Sequence, residues 1–137
     1  MALSAARIAL GDRHEAVVVD DLSRTQLVMY AGASGDFQPL HTDEVFARAM
    51  GFEGTFAHGM LTMALAGKAL TDFAGADRLV RYRARFLAQV WPGATLTTAI
   101  TVAAVRRDAL EADLELVTHD QDGVAVLSGS ATVRLAP

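Results

Sequence analysis

A change of period midway along the chain is the strongest constraint on its fold. Between His58 and Leu70 the apolar residues Met60, Leu61, Met63, Ala64, Leu65, Ala66, Ala69 and Leu70 spread round a whole helical circumference. A helix that is apolar on every side is expected to be buried. After Gly75 the repeat becomes two: Val80, Tyr82, Ala84 and Phe86 alternate with Arg81, Arg83 and Arg85. The alternation resumes in Leu96, Thr98, Ile100 and Val102, then in Leu110, Ala112, Leu114 and Leu116, then from Ala125 to Leu135. A period of two is the signature of a strand. With turns at Trp91-Pro92-Gly93 and Asp120-Gln121-Asp122-Gly123, the pattern predicts four consecutive strands in an antiparallel sheet with one wet face. The dry face needs a cover, and the apolar helix is the element suited to it. The expected class is α+β, a sheet wrapped round one central helix, the arrangement called a hot dog fold.

The front half is helical. Ala16 to Asp20 suits a short strand, and Ser23-Arg24-Thr25-Gln26 forms a capping box for a helix running to about Ala33. Gly32 and Gly35 break that helix, and Pro39 pushes Gln38 towards an extended backbone, so Gly35 to His41 reads as an ordered loop. Thr42 is the expected cap of a second short helix that carries Asp43 and Glu44 in its first turn and stops at Gly51. No repeat or linker divides the 137 residues, so one domain spanning residues 1–137 is expected.

Composition removes several function classes. Twelve basic against sixteen acidic residues give a net charge of −4, which argues against a nucleic-acid partner. The absence of cysteine excludes disulfides, thiolate metal sites and a cysteine nucleophile. The apolar stretch from Gly59 to Leu70 is interrupted by Lys68 and falls short of the roughly 20 residues a membrane span needs. No basic run followed by an apolar block opens the chain, so a soluble cytoplasmic protein is expected.

Two constellations could carry chemistry. Asp36 and His41 share a glycine- and proline-bounded loop, where a carboxylate and an imidazole held together can orient a water and exchange protons near neutral pH. The alternative is that Asp36 caps a turn and His41 packs against a helix start. His58-Gly59 opens the apolar helix, whose first N–H groups and positive dipole end could hold an oxyanion or a thioester carbonyl. Alternatively Gly59 only relieves crowding while His58 caps or packs. A metal site from Asp36, His41, Asp43 and His58 lacks any HExxH-like spacing, and no metal is expected. Ser34 does not stand in a GxSxG elbow. Arg81, Arg83 and Arg85 line one strand face that is either solvated or able to hold the phosphates of a carrier.

The run Tyr30-Ala31-Gly32-Ala33-Ser34-Gly35-Asp36-Phe37-Gln38-Pro39-Leu40-His41, followed by Ala57-His58-Gly59-Met60-Leu61-Thr62, resembles the MaoC-like hydratases and dehydratases. The likeness extends over essentially the whole chain. It implies a hot dog fold, dimerisation, and reversible addition of water across a 2-enoyl thioester to give a (3R)-3-hydroxyacyl thioester. Carried over by motif, Asp36 and His41 are the catalytic pair and the Gly59 N–H holds the thioester oxygen, with His58, Gln38 and Met60 beside the substrate. An acyl-CoA or acyl-carrier-protein thioester is the implied substrate, no cofactor is implied, and the partner is a second hot dog subunit, identical or different. Gln38 stands where the family usually has asparagine, and the central helix offers Thr62 where some members use serine. The rivals are a hot dog thioesterase and a non-catalytic subunit of a heterodimeric dehydratase.

Overall fold

A computed structural model describes residues 3–137. In chain order the elements are β1 (Arg13–Val19), α1 (Arg24–Ser34), α2 (Glu44–Ala49), α3 (Gly59–Ala74), β2 (Leu79–Phe86), β3 (Leu96–Arg106), β4 (Glu111–His119) and β5 (Ala125–Arg134). The capping box forms as the sequence predicts: the Gln26 N–H donates to Ser23 Oγ at 3.1 Å, and the Ser23 N–H donates to Gln26 Oε1 at 2.9 Å. At the other end Gly35 takes φ +75°, the left-handed conformation that closes the helix and turns the chain into the next loop.

The start of α2 differs from expectation. Asp43, not Thr42, is its cap, accepting the Phe46 N–H at 3.1 Å. The reason is a 3-10 turn at Pro39–His41, whose Pro39 carbonyl takes the N–H groups of both Thr42 and Asp43. Thr42 thus closes the turn, and the helix begins one residue later.

All five strands form one antiparallel sheet in the order β1-β3-β4-β5-β2. This corrects the expected run of four neighbouring strands. Only β3, β4 and β5 follow one another, while β2 pairs with β5 and lies at the far edge from β1. Alternation fixes which face a residue points to and says nothing of which strand lies beside it. Residues 87–95 therefore cross from one side of the sheet to the other. Backbone bonds from Leu87 to Val126, from Ala57 to Val90 and from Gly93 to Leu22 pin that crossing.

In β3, β4 and β5 the alternation picks out inward residues, among them Leu96, Ile100 and Val102, Leu114 and Leu116, and Leu127 and Val133, whereas in β2 Val80 and Phe86 of the expected apolar face are exposed, Val80 at a break in register between Leu79 and Arg81. Each inward side chain contributes about 1.5–3 kcal/mol on full burial. They pack against Ala66, Ala69, Leu70 and Ala74 of α3, whose small residues let the sheet come close. Tyr82 leans on Gly67, where a Cβ would meet its ring at 3.0 Å, and donates its hydroxyl to the Met63 carbonyl at 2.7 Å. Burial without a charge partner pushes the Tyr82 phenol up to about 12.

The helix is not enclosed all round. Met60, Ala64, Lys68 and Asp72, four residues apart, form an exposed stripe on α3. A five-stranded sheet covers one side of a helix, and within one chain nothing else among the described residues covers that stripe. The first and last described segments lie together: Ser4 and Ala136 form a parallel bridge, with the Ala5 N–H donating to the Ala136 carbonyl at 2.7 Å. Among the described residues no helix is long and apolar enough to cross a membrane.

Candidate active site

Three pieces of chain meet where α1 ends and α3 begins. The loop after Gly35 is shaped by its own side chains: the Asp36 N–H donates to Ser34 Oγ at 3.1 Å, and Asp36 Oδ1 accepts the Gln38 N–H at 3.3 Å. This is an Asx turn, so Asp36 does cap a turn, yet its side chain remains exposed. Pro39 then starts the 3-10 turn that presents His41.

His41 Nδ1 lies 2.7 Å from the Phe56 carbonyl oxygen. A carbonyl can only accept, so Nδ1 carries the hydrogen and Nε2 of the neutral ring keeps its lone pair. By the same argument His58 Nε2, 3.0 Å from the Asp36 carbonyl oxygen, is protonated. His58 is only 1% exposed, and its Nδ1 is buried with no partner. The two imidazoles stack with centroids 3.9 Å apart and planes 25° apart, and Tyr30 meets the His58 ring edge-on at 4.8 Å. Burial lowers the His58 pKa below its ordinary 6.5, against the opposing effect of the Asp36 carbonyl.

The Asp36 carboxylate and a ring nitrogen from each of His41 and His58 all lie within 4.8 Å of one another. Asp43, the fourth residue considered for a cation, is occupied as the α2 cap. Each imidazole holds one nitrogen against a backbone carbonyl, which leaves one ring nitrogen apiece and the Asp36 carboxylate, three donors in all and no fourth from Asp43. Such a set suits proton transfer better than tetrahedral ligation.

The start of α3 supplies donors. His58 occupies the cap position without a side-chain cap bond, and the N–H groups of Leu61 and Thr62 both turn to the His58 carbonyl, at 3.1 and 3.3 Å. The Gly59 and Met60 N–H groups are left as the open donors at the positive end of the helix. Beside Gly59 lies a cavity of about 290 Å³ lined by Phe56, Thr62, Phe86, Val90 and Val126. The Phe86 ring stands 3.1 Å from where a Gly59 Cβ would be.

Of the residues read from sequence, Asp36, His41, His58 and Gly59 converge. Gln38 enters through its backbone N–H, with its side chain exposed, and Met60 is 56% exposed next to Gly59. Arg81, Arg83 and Arg85 are all exposed on the sheet. Two contributors went unread. One is the Phe56 carbonyl, a main-chain group that no side-chain pattern reveals. The other is Glu44, whose Oε1 accepts Arg24 Nε at 2.9 Å and Thr55 Oγ1 at 3.2 Å, and whose Oε2 comes within 2.6 Å of where a Gly54 Cβ would stand. Arg24 chiefly, with Thr55, holds the Glu44 carboxyl below its usual range. It ties α1, α2 and the approach to α3 together, and the missed signal was a charge in a short helix facing an arginine twenty residues back.

Residues 7–121 match the family model described as MaoC like domain. The chain belongs to the MaoC-like domain family. This MaoC-like chain is 34% identical over 125 residues to a fatty acid synthase subunit beta of Aspergillus oryzae, a match covering 85% of this chain and 6% of the relative. It is 38% identical over 93 residues to 3-hydroxyacyl-thioester dehydratase Y of Mycobacterium tuberculosis, covering 65% of this chain and 32% of that protein. The chain thus spans about a third or less of the length of these curated relatives. Among solved structures, the (R)-hydratase from A. caviae involved in PHA biosynthesis superposes with a TM-score of 0.84 at 27% identity, covering 94% of this chain and 98% of that one. The hot dog fold is therefore shared along nearly the whole length of both.

Proposed function

We propose that this MaoC-like chain, as one domain, catalyses the reversible hydration of 2-enoyl thioesters to (3R)-3-hydroxyacyl thioesters, a hydro-lyase reaction of fatty-acid metabolism. The observation that carries the reading is the Asp36 carboxylate and the His41 imidazole, a ring nitrogen of which lies within 4.8 Å of it, gathered beside a helix start whose Gly59 and Met60 N–H groups have no intrahelical partner. A water bound between the two groups gives its hydroxyl to C3 while the pair takes its proton. The π electrons of the C2–C3 double bond shift towards the carbonyl, and the pair returns a proton to C2. One O–H bond breaks, C–O and C–H bonds form, and charge grows transiently on the thioester oxygen. The Gly59 N–H is the donor for that oxygen.

The names of the relatives in Mycobacterium tuberculosis and A. caviae support the reaction class and the (R) configuration. The cavity lined by Phe86, Thr62 and Val126 offers the acyl portion of a CoA or carrier-protein thioester an apolar wall. A second hot dog chain, identical or different, is the proposed partner, since β2 ends the sheet as an open edge with Val80, Phe86 and Leu87 exposed on it or just beyond.

The test is the change in ultraviolet absorbance of the conjugated enoyl thioester, measured with crotonyl-CoA and longer chains. Loss of that absorbance on hydration, without release of free thiol, is the expected outcome. Thiol release at the same rate would make the protein a thioesterase, and inactivity towards every chain length would reject catalysis by this chain alone.

A further inference from the structure

His58 is not accounted for by packing. Its Nδ1 is a buried acceptor without a partner, a cost that an apolar side chain of similar size would not carry. Besides the edge of Tyr30, which packs against it, the ring makes two contacts, and both are with the catalytic pair. The loop carrying Asp36 is shaped by bonds within itself, to Ser34 and Gln38, which set its form and not its place in the molecule. The Nε2–H of His58 reaches the Asp36 carbonyl from 22 residues away and fixes that place. His41 is held at Nδ1 by the Phe56 carbonyl and met edge-on by the Phe56 ring at 5.3 Å, which leaves one face of the imidazole to be fixed. The face of His58, 3.9 Å away, sets the plane in which Nε2 points.

We propose that His58 is a positioning residue: through its bond to the Asp36 carbonyl and its stack on His41 it sets the separation of carboxylate and imidazole. This inference rests on the hydratase reading, since it assigns that pair the chemistry. Its own ring must stay neutral, because a charged neighbour at stacking distance would oppose the proton His41 receives. Burial, with Tyr30 packed against the ring, keeps it so.

Two variants separate positioning from packing. His58→Leu fills the space without donor or aromatic face, and His58→Gln keeps an amide that can donate to the Asp36 carbonyl. The Leu variant is expected to lose about 100-fold in kcat with KM changed less than about threefold, the signature of misplaced reacting groups. The Gln variant is expected to recover at least about tenfold of that loss by restoring the tie. In a His41→Ala background the Leu substitution is expected to add less than about threefold, because residues acting through one unit are not additive. Amide exchange at His41 and Asp43, whose N–H groups close the 3-10 turn, is expected to quicken in the Leu variant and return to the parental rate in the Gln variant. The exchange readout needs no turnover. An inactive parent with this exchange pattern would reject the hydratase reading and retain the positioning role, whereas parental exchange in both variants would overturn the role.

The inference is also overturned if a folded Leu variant keeps parental kcat. It falls likewise if Gln is no better than Leu in both kcat and exchange, or if the Leu loss is as large without His41. Should the Leu variant fail to fold, the Gln variant decides: parental exchange and kcat within about tenfold support the role, and quickened exchange in a folded Gln variant defeats it.

Discussion

Replacing Gly59 by proline removes one hydrogen from the proposed oxyanion site, at a position whose backbone accepts the substitution. Proline fits the first position of a helix, where its missing N–H has no intrahelical partner. The residue before a proline must be extended, with ψ near about 120 to 160°, and His58 already has φ −57° and ψ 135°. The backbone on both sides of the substitution is thus prepared for it. The new Cβ meets Phe86 at 3.1 Å, and the ring also places Cδ on the nitrogen in the direction the N–H took. Restoring ordinary contact takes about 0.3–0.5 Å at the edge of a ring that pivots roughly 4 Å from its bond axis, a turn of about 6°, where a ~30° rotamer excursion costs about 0.5–1.5 kcal/mol. Since Phe86 is 49% exposed, the ring has room to yield. Gly59→Ala makes the same Cβ contact and keeps the N–H, so it controls for that contact, and the proline variant differs from it by the N–H and the ring carbons Cγ and Cδ. Loss of one oxyanion donor lowers turnover by about 100- to 1,000-fold, or about 2.7–4 kcal/mol. We expect that loss in kcat for the proline variant relative to the alanine variant, with melting temperatures that agree closely. The assay is enoyl-thioester absorbance at saturating substrate, with circular dichroism to verify the fold. A folded proline variant that turns over as fast as the alanine variant would show that this N–H does not serve the thioester oxygen.

Other expectations follow from the same geometry. Asp36→Asn and His41→Ala should each lower hydration by about 100- to 10,000-fold with the far-ultraviolet dichroism unchanged; near-parental turnover in either variant would remove it from the catalytic pair. Gly129→Ala should destabilise by about 2–3 kcal/mol in chemical denaturation, because its Cβ would run into the Arg83 carbonyl of the paired strand and backbone cannot step aside as Phe86 can. A native melting profile would show that β2 is held more loosely than the pairing indicates. His58, whose folded pKa lies below 6.5, takes up a proton more readily when unfolded. Its contribution is therefore present above about pH 6.5 and lost as pH falls towards the folded value, with a slope of at most about 1.4 kcal/mol per pH unit. Stability curves should flatten over that window in His58→Gln, and an unchanged slope would point to another group.

The parts of the site that could be read from sequence are those set by neighbours along the chain. Gly35 and Pro39 bracket a loop, and Ala57-His58-Gly59 opens a helix, so Asp36, His41 and Gly59 could be placed before any coordinates. The Ser23 capping box is legible for the same reason. The strand order is not, because β1 and β2 alternate just as the inner strands do and pairing across some eighty residues leaves no local mark. The half-open state of α3 was concealed by composition: Met60 and Ala64 look as suited to a core as Ala66 and Leu70, although only the latter pair faces the sheet. The work of His58 was illegible because both its hydrogen-bond acceptor and that of His41 are main-chain carbonyls, which every residue possesses.

The parallel bridge between Ser4 and Ala136 brings the entry and exit of the fold to one spot on its surface. Asp36, His41, Phe56, His58 and Gly59 meanwhile fall within a single uninterrupted run of chain. A body built in this way can be spliced into a surface loop of a larger polypeptide as a cassette, because the host need only leave and re-enter at one place and the candidate site lies within one stretch of the insert. The same wiring makes the fold modular in either direction, whether excised from a long host or grafted into one. The fatty acid synthase subunit of Aspergillus oryzae, in which the matching region is 6% of the length, has the proportions of such a host.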